Sequence, residues 1–397
     1  MTHPFPPPAI KPFERLQAND GLLINAERWR KAHNYHRQRQ NVHYQSLSQP
    51  GIVCGLGVRA ISPPEQVDAA YRDRRWVQIQ PGIAIDLFGN LIVVPQPMHF
   101  RIATEVTGSE SVMVYLVVSY VDPDELRPNG RSEVVQETFR IDEKSSQPQV
   151  PEVEVCRVLL QPGNVEVSDP ADVFFPGYNN IDLRHRIKAQ ARPQALVKMA
   201  QVNHSDRDCA RNFFNLSYLL QSLTGLYPAL QGTTEVDQVA FDSEMLAYDL
   251  LYLTGRQALS LAAYSHEFEL LKNYLNTGGV LLIDAPTDAI ALIESAQNLG
   301  QQLGCPLMPL EELRRDHPLR TRPFLFAALP IFNKQQLRVW IGGGIILIVG
   351  DLAASWGPDR ELSLSRITIR TAQELGINAL YYAWRRRQLI GLQQEWQ

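Results

Sequence analysis

Lysine and cysteine are scarce in this chain, and no apolar run is long enough for a membrane span. Of its 38 basic residues seven are lysine and 31 arginine, and only four cysteines occur in 397 residues. Cys54, Cys156, Cys209 and Cys305 are scattered with no CxxC spacing, which argues against a disulfide scaffold or a cysteine zinc site and fits a reducing compartment. The segment MTHPFPPPAIKPFERL has no apolar h-region, so a signal peptide is not expected. The most apolar stretch, VWIGGGIILIVG from Val339 to Gly350, is broken by glycines and ended by Asp351. A hydrocarbon layer of about 30 Å needs about 20 apolar residues, so this stretch reads as a buried strand or strand pair. There is no basic excess either: 38 Lys and Arg face 42 Asp and Glu, for a net charge of −4, and no nucleic-acid partner is expected. No GxGxxG follows a strand and no GxxxxGK[ST] occurs, which removes the usual phosphate cradles. Without a GxSxG or GxCxG elbow, covalent catalysis is not expected. No catalytic residue, metal or cofactor is assigned.

What is present reads as a folded protein of two to three domains, with 45% hydrophobic and 20% charged residues. Residues 1–20 form a proline-rich arm, extended and without internal hydrogen bonds. The run INAERWRKAHNYHRQRQNVHYQSL predicts a helix with Asn25 as its N-cap. Trp29, Ala32 or His33, His36 and His43 fall near one of its faces, and Arg28, Lys31, Arg37 and Arg39 on the other. From Gly51 the pattern turns to short Val- and Ile-rich strands, with a hairpin turn at Phe88-Gly89-Asn90. Five or six such strands with no helix between them predict an antiparallel sandwich or barrel, so 21–161 is a helix-plus-β module. Residues 162–195, rich in proline and poor in periodicity, read as a connector. From 196 to 397 the order becomes α/β. VKMAQVNH, YDLLYLTG, VLLID, GIILIVGD and INALYYAW are expected strands. DRDCARNFFNLSYLLQSLTG, SLAAYSHEFELLKNYLNTGG, TDAIALIESAQNLGQQLG and SLSRITIRTAQELG are expected helices. This alternation predicts a doubly wound sheet.

Several groups invite chemistry. His33, His36 and His43 share one helix and raise a metal reading, but no acidic or cysteine ligand joins them at helical spacing. The polar knot Asn203 to Asp208 sits where a strand hands over to a helix and reads as an N-cap. In an open α/β sheet, ligands bind outside the carboxyl ends of the strands, which places Thr254, Gly255, Asp284 and Asp351 there. Asp284 and Asp351 can pair for acid/base or metal work, or they can cap helices and hold loops. Cys54 and Cys156 read as core strand residues. Arg385, Arg386 and Arg387 make a compact basic cluster, suited to a helix end or to an acidic partner.

The stretches YDLLYLTG, LLKNYLNTGGVLLIDAP, DHPL (Asp316 to Leu319), IILIVGDLAASWGPD and LGINALYYAW recur in order in a bacterial family called domain of unknown function 4159, which residues 195–397 resemble. The resemblance implies a flavodoxin-like or glutamine-amidotransferase-like fold; the glutaminase nucleophile has no counterpart here. The first half, through NDGLLINAERW, Tyr35-His36 with Arg39 and His43, PGIVCGLGV and VQIQPGIAIDLFGNLIVV, resembles a module of contractile injection and phage-tail-like systems. That resemblance implies a non-enzymatic structural subunit at a baseplate. Its partners would be other subunits of a large assembly, with self-association, in a cytoplasmic particle able to dock at a membrane. Arg28, Trp29, Arg37 and Arg39, with Arg385 to Arg387, are the expected partner-binding residues, because Arg and Trp dominate interface hot spots. The alternative is a small-molecule or glycan-binding protein using Thr254, Gly255, Asp284 and Asp351.

Overall fold

A computed structural model describes residues 8–9, 11–106, 108–122, 136–163, 165–203, 213–233, 235–259, 261–332, 335–359 and 361–393. The chain divides into two compact units, Met1–Arg192 and Pro193–Gln397.

The first unit opens with α1 (Ala26–Leu47), capped by the Asn25 side chain, which accepts from the Arg28 amide at 2.9 Å. Helix formers (Ala, Arg, Gln, Glu, Lys) dominate its length and neither Gly nor Pro interrupts it. Among the described residues twelve strands follow: β1 (Ser48–Gln49), β2 (Gly51–Gly55), β3 (Val58–Ala60), β4 (Trp76–Ile79), β5 (Gly82–Ile85), β6 (Leu91–Val94), β7 (Met98–Arg101), β8 (Val112–Val121), β9 (Thr138–Lys144), β10 (Val153–Leu160), β11 (Ile181–Asp182) and β12 (Gln190–Ala191). They form antiparallel sheets in the orders β2-β5-β6, β3-β4-β7 and β11-β10-β8-β9, with β1 paired to β12. Among the described residues no sheet closes into a barrel.

The three larger sheets share one core, in which Leu56, Val77, Ile79, Leu116, Val155 and Leu160 are fully buried. Each such side chain contributes about 1.5–3 kcal/mol. Val165, Val167 and Ile181 join the same core, so residues 165–191 fold back onto this unit. Cys156 lies in the core as expected, but Cys54 is exposed. The pairing of β2 with β5 shifts register between Ile52 and Cys54, and the strand's inward and outward positions change with it.

The β5–β6 hairpin turns through Asp86 to Asn90. The Asp86 carboxylate accepts from the Asn90 amide at 2.8 Å and from its side chain at 2.9 Å, while burial pushes the Asp86 carboxyl up. Gly89 in this turn has φ +80°, and a side chain there would meet the Asn41 carbonyl at 2.3 Å, so only glycine lets the turn lie against α1.

The second unit runs β13 (Ala195–Val197), β14 (Met199–Val202), α2 (Phe213–Leu226), β15 (Leu230–Gly232), β16 (Asp237–Val239), β17 (Leu250–Thr254), α3 (His266–Asn276), β18 (Val280–Ala285), α4 (Ile290–Gln302), β19 (Met308–Pro309), α5 (Pro318–Thr321), β20 (Ile331–Phe332), β21 (Gln335–Gln336), β22 (Arg338–Gly342), β23 (Ile345–Val349) and α6 (Arg366–Gly391). Its main sheet has the order β16-β14-β17-β18-β23-β22-β19. The first five are parallel, and β22 and β19 continue the sheet antiparallel. Taken in chain order, the parallel strands give the flavodoxin-like arrangement. α2 and α6 cover one face through Leu216, Leu219, Leu375 and Leu380; α3 and α4 cover the other through Phe268, Leu271, Leu292 and Leu299. The unit is thus a doubly wound α/β domain with an antiparallel edge.

Within the second unit one element differs from the sequence expectation. INALYYAW, expected as a strand, is the middle of α6, which continues unbroken from Arg366 to Gly391. Gly376 does not end the helix. It lies where α6 passes closest to its neighbours: a side chain there would approach Leu219 at 2.7 Å and the Trp356 ring at 2.8 Å.

Candidate functional site

Two places were singled out by the sequence: α1 and the strand ends of the second unit. α1 is 22 residues long and buries none of them. Arg37 pairs with Asp122 at 2.9 Å, Asn41 meets Asn90, and Gln45 donates to the Phe88 carbonyl at 2.7 Å, so the later turns are held by polar contacts. The first turns touch the arm instead: Lys31 reaches Glu14 at 2.6 Å, Phe13 meets Tyr35 edge-on, and Arg28 donates to the Leu23 carbonyl. Trp29 is 56% exposed, with His33 against its ring. Arg39 donates to the Tyr35 hydroxyl at 3.2 Å and lies over that ring. The helix carries Arg28, Arg30, Lys31, Arg37 and Arg39 against Glu27 alone, on a chain of net charge −4. Its resources are therefore positive charge and exposed aromatic surface.

The three histidines do not gather. His33, His36 and His43 meet the rings of Trp29, Tyr35 and Tyr44 edge-on, respectively. Among the described residues no three His, Cys, Asp or Glu side chains are placed to hold a metal ion.

At the strand ends the expected residues do come together. Thr254 ends β17, Asp284 lies near the end of β18, and Gly350-Asp351 follow β23. The Asp284 carboxylate is fully buried and accepts from the Leu352 and Ala353 amides, each at 2.8 Å, and from the Tyr252 hydroxyl at 3.1 Å. Thr254 is buried too, its hydroxyl donating to the Asp284 carbonyl at 2.7 Å. Gly255 is also buried. Burial, and then the charge of Asp351, push the Asp284 carboxyl up to about 7 against the three donors that favour its ionised form. Asp351 adopts a left-handed conformation with φ 55°, which starts the 3-10 turn Leu352–Ser355. Asp284 caps that turn, and Trp356, fully buried just after it, lies against the Tyr252 ring. Beyond the buried layer, Arg256 pairs with Asp288 at the surface.

The terminal arginines divide. Arg385 is exposed and bonds Gln388 on its own helix. Arg386 donates to the carbonyls of Leu275 at 2.7 Å and Gly279 at 2.8 Å, joining the end of α3 to the start of β18. Arg387 donates to the carbonyls of Tyr248 and Leu246 and lies 3.6 Å from Asp249. Both guanidinium groups are engaged inside their own unit. Of the polar knot, Asn203 pairs its amide with the Val239 carbonyl, while His204 to Asp208 lie outside the described residues, as does Cys209.

With this geometry in hand, the comparisons concern the second unit first. The model of the family Domain of unknown function (DUF4159) matches residues 198–384. That span falls within the doubly wound domain and agrees with the resemblance read from YDLLYLTG onward. No curated protein matches the sequence significantly. One solved structure, described as the crystal structure of TssK, is similar at 12% identity and a TM-score of 0.23, over 54% of this chain and 48% of that one. The chain thus spans about half the length of that structure. No helix among the described residues is long and apolar enough to cross a membrane.

Sequence reasoning missed a third place. Val173, Phe174, Phe175 and Tyr178 lie in a loop of the first unit and are all more than half exposed. The adjacent phenylalanines between Pro170 and Pro176 were the available signal.

Proposed function

We propose that this protein is a non-enzymatic structural subunit of a contractile injection or phage-tail-like particle, placed at the baseplate and acting by protein–protein assembly in the cytoplasm. The observation that carries this reading is α1. Helices in folded proteins draw most of their stability from a buried apolar face. This one buries no residue, exposes Trp29 and carries five cations against one acid. Such a surface is suited to an acidic partner, with Arg28, Trp29 and Arg39 as contacts. The proline-rich arm runs beside it, and the module resemblance of residues 21–161 points to the same kind of particle. The strand-end alternative has less support, because Thr254 and Asp284 bond within the fold and expose almost nothing to a ligand.

The test is gentle lysis of the native host, gradient sedimentation and detection with an antibody. Co-sedimentation with sheath and tube proteins in a very large particle is expected. Migration as a free monomer or small oligomer, while sheath proteins run heavy, would overturn the proposal.

A further inference from the structure

The exposed aromatic loop is a built feature. Phe174 donates its amide to the Asp172 carboxylate at 2.8 Å, and Phe175 donates to the Asp172 carbonyl at 3.1 Å. The Gly177 amide donates to Asn180 at 2.9 Å, and Arg184 reaches across to the Phe174 carbonyl at 2.9 Å. Asp169 accepts from the Ala60 amide at 2.9 Å, tying the loop's base to β3. These bonds fix the backbone while leaving Phe174 and Phe175 71% and 79% exposed. Two adjacent phenylalanines held rigidly in water form an apolar patch of the size that marks an interaction site, and burying each would remove about 150–250 Å². The loop from Ser168 to Asn180 contains two acids, Asp169 and Asp172, and no base.

The same unit carries a receptor of complementary character. Between the arm, α1 and the β5–β6 turn lies a groove of about 510 Å³, walled by Pro12, Phe13, Val42, Leu87 and Phe88, with Lys11 at its rim. A second, polar recess of about 460 Å³ adjoins it along α1, sharing Lys11 and adding Arg30 and Lys31 beside Glu14 and Glu27. The knob is aromatic and acidic; the groove is apolar with Lys11 as its one lining cation, and the recess beside it adds Arg30 and a Lys31 that is already paired with Glu14.

The geometry points to a second copy of this chain as the occupant: its Val173–Tyr178 loop inserts into the groove between arm and α1, with Asp169 and Asp172 meeting the cations of the rim. This deepens the assembly reading by naming one partner, and it rests on that reading only for its biological setting. Because knob and groove are different surfaces, the contact is heterologous, and repetition builds a ring or an open filament rather than a closed two-fold dimer.

The experiment uses the purified full chain in sedimentation velocity. The knob variant F174S/F175S and the groove variant F88E alter exposed side chains, and the Phe88 carbonyl that Gln45 uses is kept; F13E serves as an independent groove variant. Wild type is expected to associate with rising concentration, and each variant alone to remain monomeric. A mixture of knob and groove variants retains one intact knob facing one intact groove, so it is expected to give a species of twice the monomer mass and nothing larger. A wild type that stays monomeric throughout the micromolar range overturns the contact, as does self-association by either variant or a mixture that yields no dimer. A purely monomeric result would leave the particle assignment standing, because that is decided in host lysate.

Discussion

Asp284 sits at the end of a strand where ligands commonly bind, yet both its oxygens accept bonds from the chain's own donors. Its acid form is favoured in the folded state, with the carboxyl raised from its ordinary 3.8 to about 7. A group held above its unfolded value contributes stability that is full below about pH 4 and is lost as pH rises through about 7. The protein should therefore lose this contribution between those limits, and Asp284→Asn should flatten that part of the stability profile. The variant should also be less stable by about 1–3 kcal/mol, because an amide nitrogen would face a backbone donor. Denaturant unfolding of both proteins from pH 4 to 8 measures this, and identical pH slopes would refute the role given to Asp284. Arg386 and Arg387 make a second residue-scale case. Each donates to backbone carbonyls more than a hundred residues away in sequence, so alanine at either should cost about 1–3 kcal/mol. Arg385→Ala should stay within about 0.5 kcal/mol, as expected of a surface position. Three equal thermal shifts would contradict this division of the cluster.

At the scale of elements, α6 shows what a helix can hide. Alanine normally stabilises a helix interior by about 1 kcal/mol over glycine. At Gly376 the added carbon would meet Leu219 and the Trp356 ring at under 3 Å, so Gly376→Ala is expected to destabilise by about 1–3 kcal/mol. A raised melting temperature would show that the close approach is not real. The same glycine explains why the helix was not read to its end: Gly376 resembles a stop signal, and INALYYAW is apolar enough to pass for a strand. The parallel strands were legible for the opposite reason. LLYLT, VLLIDA and IILIV are buried on both faces, so they appear as uninterrupted apolar runs. Asn25 was legible as a cap because capping is local, three residues from its partner. The partners of Asp284, Arg386 and Arg387 were not, because distant segments supply them. Val165, Val167 and Ile181 bury single side chains between prolines and turns, which leaves no period to detect.

At the scale of the whole molecule, the arm–helix groove, the cationic face of α1 and the Phe174-Phe175 loop all belong to residues 1–192. That unit has a core of its own, and so does the doubly wound domain, whose sheet is covered on both faces by its own helices. Each fragment, 1–192 and 193–397, is accordingly expected to fold cooperatively when produced alone, since each buries an independent set of apolar side chains. If assembly runs through α1 and the knob, the first fragment should self-associate and enter the host particle in competition with the full chain. The second fragment should do neither. The association should also weaken as salt is raised, because the acids of the knob and the cations of α1 meet at a solvent-exposed rim where ions screen them. Incorporation of 193–397 alone, or a salt-independent association of 1–192, would move the assembly surface away from α1. In the first case the doubly wound domain would have to supply it, and in the second another surface of residues 1–192 that does not depend on charge.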